Sequence, residues 1–538
     1  MKKLLCILLS LGLLAGCTAA PAQTTAPATE DSTAVRFQLE KGGLTVTAPD
    51  GMAENAVTAA NDIIYYEEGH DETYGEGEKG EAHSAEEAAV HTVVHINAPG
   101  TYVLSGKLEL GQIAVDLGED AKNDPSAVVT LILDNLDITC RVAPAIILYN
   151  VYECGDTENP SATVDTSNAG ANVILAPGST NRVVGSHVAK IYKPGTEKKL
   201  HKYDGAFYSR MSMNVGGEGI LRIEADNEGL DSELHLTING GEIYIESGND
   251  GINTNEDGVS VTTINGGFLR IDVTGSTGEG DGIDSNGWLV INGGRVEAYA
   301  CGSSMDSGID SDMGIAINGG TVIATGNMLD RIDDGSQTHA VFSFAQSQNG
   351  LTWTLKDKWD SPVMECQTPN PFTNLIFSSP DLAEGTYTLW SGNTLFAGAP
   401  GEGGFGGGMG GFVGGFQPID KPDWPGGGKG GDRGGDVEIP PQPTIEYEIQ
   451  GGEPPADWQP ENMPVGQPPE GFDPSQMPAG PMPQGGADMP MPEMPGGVQP
   501  PQGGNFGGGA YFVVTSRSPE FTITQGANYF YSVMGLVM

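Results

Sequence analysis

Four times between Glu242 and Thr325 the chain runs through five residues in which every second one is aliphatic: Glu242-Ile-Tyr-Ile-Glu246, Phe268-Leu-Arg-Ile-Asp272, Arg295-Val-Glu-Ala-Tyr299 and Thr321-Val-Ile-Ala-Thr325. Strict alternation of this length predicts a strand with one buried face. A helix needs apolar positions three and four apart, which are missing. Each run follows an Ile-Asn-Gly-Gly phrase, and its isoleucines, Ile238, Ile264, Ile291 and Ile317, are spaced by 26, 27 and 26 residues. A degenerate copy, Ser212-Met213-Asn214, precedes them. A third phrase travels along: Asp204-Gly-Ala-Phe, Glu228-Gly-Leu-Asp231, Asp250-Gly-Ile-Asn253, Asp281-Gly-Ile-Asp284 and Ser307-Gly-Ile-Asp310. A fixed period of this size means one structural unit stacked on copies of itself.

Each unit therefore holds about three short strands joined by Gly and Asn corners. The predicted fold is all-β, a solenoid whose simplest form is a right-handed parallel β-helix with repeats of about 26 residues. Stacking would pile Leu230, Ile252, Ile283 and Ile309 inside, and likewise Ile238, Ile264, Ile291 and Ile317. Asn239, Asn265, Asn292 and Asn318 recur at one corner, where Asn accepts left-handed backbone angles and its amide can bond to the copies on either side.

The same stacking lines up acidic side chains. Asp231, Asn253, Asp284 and Asp310 would form one column, at the strand spacing of about 4.8 Å. Glu228, Asp250 and Asp281 form another three residues upstream. Two carboxylates at that distance repel by about 3 kcal/mol at an effective dielectric near 20. A cation relieves that cost, and calcium, with oxygen ligands at about 2.3–2.6 Å, matches the spacing. Asp281, Asp284, Asp306 and Asp310 are the strongest candidate ligands. The alternative is a row of separately hydrated Asp-Gly turns.

Parity places Arg222, Tyr244, Arg270 and Glu297 in one outward column, with Trp288 and Tyr299 on other outward positions. Aromatic faces stack on sugar rings, and arginine bonds hydroxyls or carboxylates. The column reads either as a sugar platform or as ordinary surface. There is no Gly-x-Ser-x-Gly elbow and no His-Glu-x-x-His helix, so no catalytic residue is assigned. A polysaccharide lyase, using a calcium cluster and a basic residue, is the enzymatic alternative. A structural or adhesion protein of the cell surface is the other.

Charge narrows the partners. With 71 acidic against 25 basic residues the formal net charge is −46, which argues against nucleic acid. Met1-Lys-Lys followed by apolar Leu4 to Leu14 predicts a targeting leader, too short to span a bilayer. Leu14-Ala-Gly-Cys17 resembles the lipobox of bacterial lipoproteins, which implies cleavage before Cys17 and a lipid on it. The expected location is the extracellular face of the bacterial cell membrane, with the lipid as the membrane contact and the protein a monomer. Cys140 and Cys154 close a short loop and are the expected disulfide, which an exported compartment permits.

The predicted organisation is a leader (1–16), a tether (17–35), an N-terminal segment with an acidic loop (36–92), the β-helix (93–335), a β cap (336–398), a disordered Gly/Pro/Met-rich insertion (399–509) and final strands that rejoin the cap (510–538). The cap follows from physics, because an open end of a solenoid leaves a strand edge that pairs with other chains. Lys193, Lys198, Lys199 and Lys202 make the basic patch, which reads either as a solvated loop or as a contact for acidic sugars.

The Asp-Gly-Ile-Asp-Ser and Ile-Asn-Gly-Gly phrases, the entry Asn97-Ala-Pro-Gly-Thr-Tyr-Val-Leu-Ser-Gly106 and the strand Val129-Thr-Leu-Ile-Leu-Asp134 together resemble the clostridial carbohydrate-binding β-helix family. The resemblance covers about 90–400 plus the final strands. It implies a calcium-bearing right-handed parallel β-helix that binds polygalacturonate and cellulose without clear catalysis. By resemblance the calcium ligands fall on Asp250, Asp281, Asp284 and Asp310, and the chain departs from the pattern at Asn253 and Ser307. The expected function is thus calcium-dependent, non-catalytic binding of polysaccharide.

Overall fold

The computed structural model describes residues 34–40, 43–48, 53, 55–63, 85–187, 191–192, 199–201, 203–350, 352–401 and 517–536. The leader, Cys17, most of the acidic loop, the side chains of the lysine patch and residues 402–516 lie outside them. Among the described residues the regular elements are β-strands, the exceptions being the short helix Ala85–Ala89 and the 3-10 turn Glu119–Asn123.

The strands form three parallel ladders, and each repeat gives one strand to each. The Gly-Ile-Asp phrase supplies Glu228–Ser232, Ile252–Thr254 and Ile283–Ser285, continued by a bridge from Ile283 to Ile309. The Ile-Asn-Gly-Gly phrase supplies Met213–Gly217, Leu236–Ile238, Val261–Ile264, Trp288–Ile291 and Gly314–Ile317. The alternating runs supply Thr180–Gly185, Ile220–Ala225, Glu242–Ser247, Phe268–Val273, Arg295–Tyr299 and Thr321–Gly326. Earlier strands extend all three, and the long Gly100–Leu108 and Val129–Thr139 run ahead of two of them.

Like residues sit on like residues. Leu230, Ile252 and Ile283 are in register, as are Leu221, Ile243, Leu269, Val296 and Val322. The inward side chains of all three ladders belong to one continuous buried cluster. Each fully buried aliphatic contributes about 1.5–3 kcal/mol, and every repeat supplies several.

The corner asparagines bond in series: Asn265 donates to Asn239, Asn292 to Asn265 and Asn318 to Asn292, each at 2.9 Å. The second glycine of each phrase is required there. Gly294 has φ +79°, and a Cβ on it would lie 2.7 Å from the Gly267 carbonyl oxygen.

The earliest copy of the Asp-Gly phrase is displaced by one residue. Phe207, not Ala206, pairs with Leu230, and Tyr208 pairs with Asp231. Aligning the phrases letter by letter puts Phe207 on Asp231; packing instead places the large apolar ring in the buried column.

Other strands cover the near end of the ladders and, at the far end, the alternating one. Val35–Glu40 pairs in parallel with Gly100–Leu108 and antiparallel with Gly43–Thr47, while Val57–Ala60 lies antiparallel on Thr92–Ile96. At the far end Phe372–Ser378 runs antiparallel to both Thr321–Gly326 and His339–Gln348. Ala527–Gly535 pairs with His339–Gln348 and with Thr394–Gly401. Thr352–Asp357 joins Pro362–Gln367 to Gly385–Ser391, which also pairs with Phe521–Ile523. This cap has its own aromatic core, in which Phe344, Trp353, Phe372 and Phe396 meet at ring separations of 4.9–5.8 Å.

Cys140 and Cys154 are both free thiols, so the expected disulfide is not formed. Cys140 points into the core, and burial pushes its thiol up to about 12. Cys154 is half-buried beside Glu153 and Asp165. The strand Ile146–Asn150 runs between them; five extended residues span roughly 16 Å. Closeness in sequence does not bring the thiols together.

Candidate functional site

The Gly-Ile-Asp ladder carries two acidic columns, in which Glu228, Asp231, Asp250 and Asn253 are buried and Asp281, Asp284 and Asp310 half-buried. In one, Tyr208, Asp231, Asn253 and Asp284 are in register, and Asp310 follows beyond the Ile283 to Ile309 bridge. In the other, Glu228, Asp250, Asp281 and Ser307 begin successive copies of the phrase.

The upstream column has a backbone role. A carboxylate oxygen of Asp250 accepts the Asp281 N–H at 2.7 Å, and one of Asp281 accepts the Ser307 N–H at 2.5 Å. Each carboxylate thereby ties its repeat to the next. Ser307 continues the series with a hydroxyl in place of the carboxylate: it accepts the Asp330 N–H at 3.3 Å and donates to the Met328 carbonyl at 3.5 Å.

Asp281, Asp284 and Asp310 converge. All three are half-buried, and a carboxylate oxygen from each lies within 4.8 Å of the others. Burial first, then the charges of Asp250, Asp310 and Asp284, pushes the Asp281 carboxyl well above the usual carboxylate range; the Ser307 N–H works in the opposite direction. Three oxygens at this spacing, with no nitrogen or sulfur among them, fit a hard cation such as calcium, whose opposite ligands lie about 5 Å apart. These three residues would hold it, with Asp250 packed behind Asp281. A bound divalent ion would supply positive charge and open coordination positions to a ligand's oxygens.

The remaining predicted ligands do not join this group. Glu228 accepts from the Asn253 amide at 3.0 Å, and Asp231 from the Asn255 amide at 2.8 Å. Asn253 places a neutral amide between Asp231 and Asp284, so it divides the column electrostatically. Asp306 accepts the Gly280 N–H at 2.6 Å and the Ser304 hydroxyl. It is held in the corner backbone, away from the three convergent carboxylates.

On the outer face of the alternating ladder, Arg182, Arg222, Tyr244, Arg270 and Glu297 stand in register. Arg182 is bidentate to Glu224 at 2.8 and 2.7 Å. Arg270 bridges Asp272 at 3.0 Å and Glu297 at 2.9 Å. Arg222 is exposed, with its guanidinium 4.2 Å from the Tyr244 ring centre. Tyr244 also packs on Phe268 at 5.5 Å, and its phenol donates to Glu242 at 2.5 Å. Phe268 was absent from the predicted platform, although its outward parity in Phe268-Leu-Arg-Ile-Asp272 is the signal that finds it.

Of the other predicted platform residues, Trp288 stands elsewhere, and Tyr299 lies beside the column, its ring centre 4.9 Å from the Arg270 guanidinium, but is covered. Trp288 is on the Ile-Asn-Gly-Gly ladder, opposite Val261 and Gly314. Tyr299 is 0 % exposed and belongs to the cap core. Alternation correctly turns it outward, but the cap covers the outer face of the last repeats, and Asn370 of the cap donates to the Val273 and Ala300 carbonyls.

The ladders carrying both faces can be compared with known proteins. Residues 90–351 match the family model described as carbohydrate-binding domain-containing protein. This carbohydrate-binding match takes in the three aspartates and the Arg222–Tyr244 face and stops one residue before Thr352–Asp357 of the cap. A carbohydrate-binding domain-containing protein of Acetivibrio thermocellus is 27% identical over 155 residues, 29% of this chain and 45% of that protein. The match thus spans less than half the length of that relative. A solved structure of the polysaccharide lyase-like protein from C. thermocellum, a gadolinium derivative, is similar at 20% identity, over 53% of this chain and 92% of that one, with a TM-score of 0.32.

Proposed function

We propose that this chain is a right-handed parallel β-helix that binds a polysaccharide of the polygalacturonate or cellulose class, through calcium and without cleaving it. It does so as a monomer at the extracellular face of a bacterial membrane, held there by a lipid on Cys17. The observation that carries the reading is the carbohydrate-binding family match over residues 90–351. The coiled form is supported by three ladders that each receive one strand per repeat around a shared core. Calcium is supported by the convergence of Asp281, Asp284 and Asp310. The glycan face is Arg222 with Tyr244 and Phe268, where a cation and two rings are presented together. A binding role is supported by the pairing of Arg270 with Asp272 and Glu297, which leaves it poorly placed to remove a proton.

The test is affinity electrophoresis of the Cys17→Ser chain through polygalacturonate, in calcium and in EDTA. Retardation that chelator abolishes is expected. Equal mobility with and without the glycan sinks the binding reading. A rise in ultraviolet absorbance from unsaturated products, on incubation with polygalacturonate and calcium, would replace it with a lyase.

A further inference from the structure

The cap carries an aromatic face of its own, beyond the family-matched segment. Trp359 is 73 % exposed, the most of any large apolar side chain among the described residues. It is presented by a fixed turn: one carboxylate oxygen of Asp357 accepts the N–H groups of Trp359 and Ser361, each at 2.9 Å, and Asp360 takes φ +62°. The Lys358 ammonium lies 4.3 Å from the centre of the Trp359 ring. Beside the turn Lys356 bonds Asp360 at 3.0 Å and sits 5.0 Å from the centre of Trp390, whose indole N–H donates to Thr388 at 2.9 Å. Thr354 stands opposite Trp390 across the strand pair.

We propose that Trp359 and Trp390, with Lys356, Asp360 and the neighbouring threonines, form a second glycan site that takes an uncharged pyranose chain. The Trp390 indole, fixed by its hydrogen bond to Thr388, and the Trp359 ring, carried on a backbone fixed by Asp357, offer flat apolar faces. A pyranose ring presents the matching face of C–H groups. The Lys356–Asp360 pair and the Thr354 hydroxyl supply donors and acceptors for its hydroxyls. Lys356 and Lys358 are offset by Asp357 and Asp360, and Glu365, which accepts from the Thr354 hydroxyl at 3.3 Å, adds a further negative charge, so the patch has no positive excess with which to select an acidic sugar. The same balance, in a chain of net charge −46, disfavours an anionic bilayer as the partner. The inference rests on the carbohydrate reading for its ligand class, yet uses different residues and needs no metal.

The full chain is run through gels containing hydroxyethyl cellulose, with EDTA present, beside Trp359→Ala and Trp359→Tyr variants; sedimentation with phosphatidylglycerol vesicles is the control. The expected result is retardation of the wild type, affinity lower by about tenfold in Trp359→Ala, and most of it restored in Trp359→Tyr. Lack of retardation, equal retardation of Trp359→Ala, or Trp359-dependent sedimentation with vesicles in place of glycan binding overturns it. Failure to bind polygalacturonate in calcium, with the neutral-glycan response intact, would overturn only the calcium site's proposed role.

Discussion

Replacing Asp284 with asparagine should move stability in opposite directions according to whether calcium is present. Oxygens of Asp281, Asp284 and Asp310 lie within 4.8 Å of one another. At that separation two full charges repel by about 3.5 kcal/mol at an effective dielectric of about 20. The groups are half-buried, so water and salt reduce this to about 1–2 kcal/mol per pair. Asparagine keeps the size of the side chain and removes one partner from two such pairs. In EDTA the variant should therefore gain about 2–4 kcal/mol, a rise of several degrees in Tm. In calcium it loses a ligand, so mass action stabilises it less and it should melt below the wild type. Calorimetry in the two buffers reads both signs at once. A variant that melts lower in EDTA, or shifts identically in both, refutes the electrostatic account.

The same site sets a pH signature. Without a cation, the Asp281 carboxyl is held above its ordinary value of about 4 by burial and by Asp250, Asp310 and Asp284. The folded state then binds the proton more tightly than the unfolded chain. Its stabilising contribution is complete below about pH 4 and is lost as pH climbs through the raised value. Calcium competes with that proton, so the loaded protein should instead lose stability on acidification. Melting curves over pH 4–8 with and without chelator should diverge in this sense.

Other residues give simpler outcomes. Gly294→Ala, at φ +79° and with a backbone oxygen 2.7 Å from the added Cβ, should cost about 2 kcal/mol or more, read as a lower urea midpoint. Tyr299→Ala should cost about 3–5 kcal/mol by opening the cap core, while leaving glycan affinity intact below its Tm. Arg222→Ala should do the reverse, weakening retention on polygalacturonate by about three- to tenfold with Tm unchanged.

The sequence revealed what repetition reveals. Register along the ladders was legible because identical phrases must stack to bury Ile252 on Ile283 and to bond Asn292 to Asn265. It was lost at Asp204, where an insertion after Thr180–Gly185 resets the spacing and Phe207 decides the alignment. Parity told which way Tyr299 points but not what lies over it, since the cap is non-repetitive. Asp306 carries the same charge as its neighbours, yet its place in a corner engages it with Gly280 and Ser304. Trp359 gave no signal, because a lone aromatic among Lys and Asp in a turn belongs to no period.

The position of Ala527–Gly535 in the cap has a consequence for synthesis. This strand completes the pairing of His339–Gln348 and Thr394–Gly401, yet roughly 125 residues separate it from Gly401; at a ribosomal pace of about 5–20 residues per second, that is a delay on the order of ten seconds. Throughout that interval the nascent domain presents raw backbone hydrogen-bonding groups along His339–Gln348, so a chaperone, or the speed of translation through the glycine-rich tract, governs whether newly made chains mature or adhere to one another.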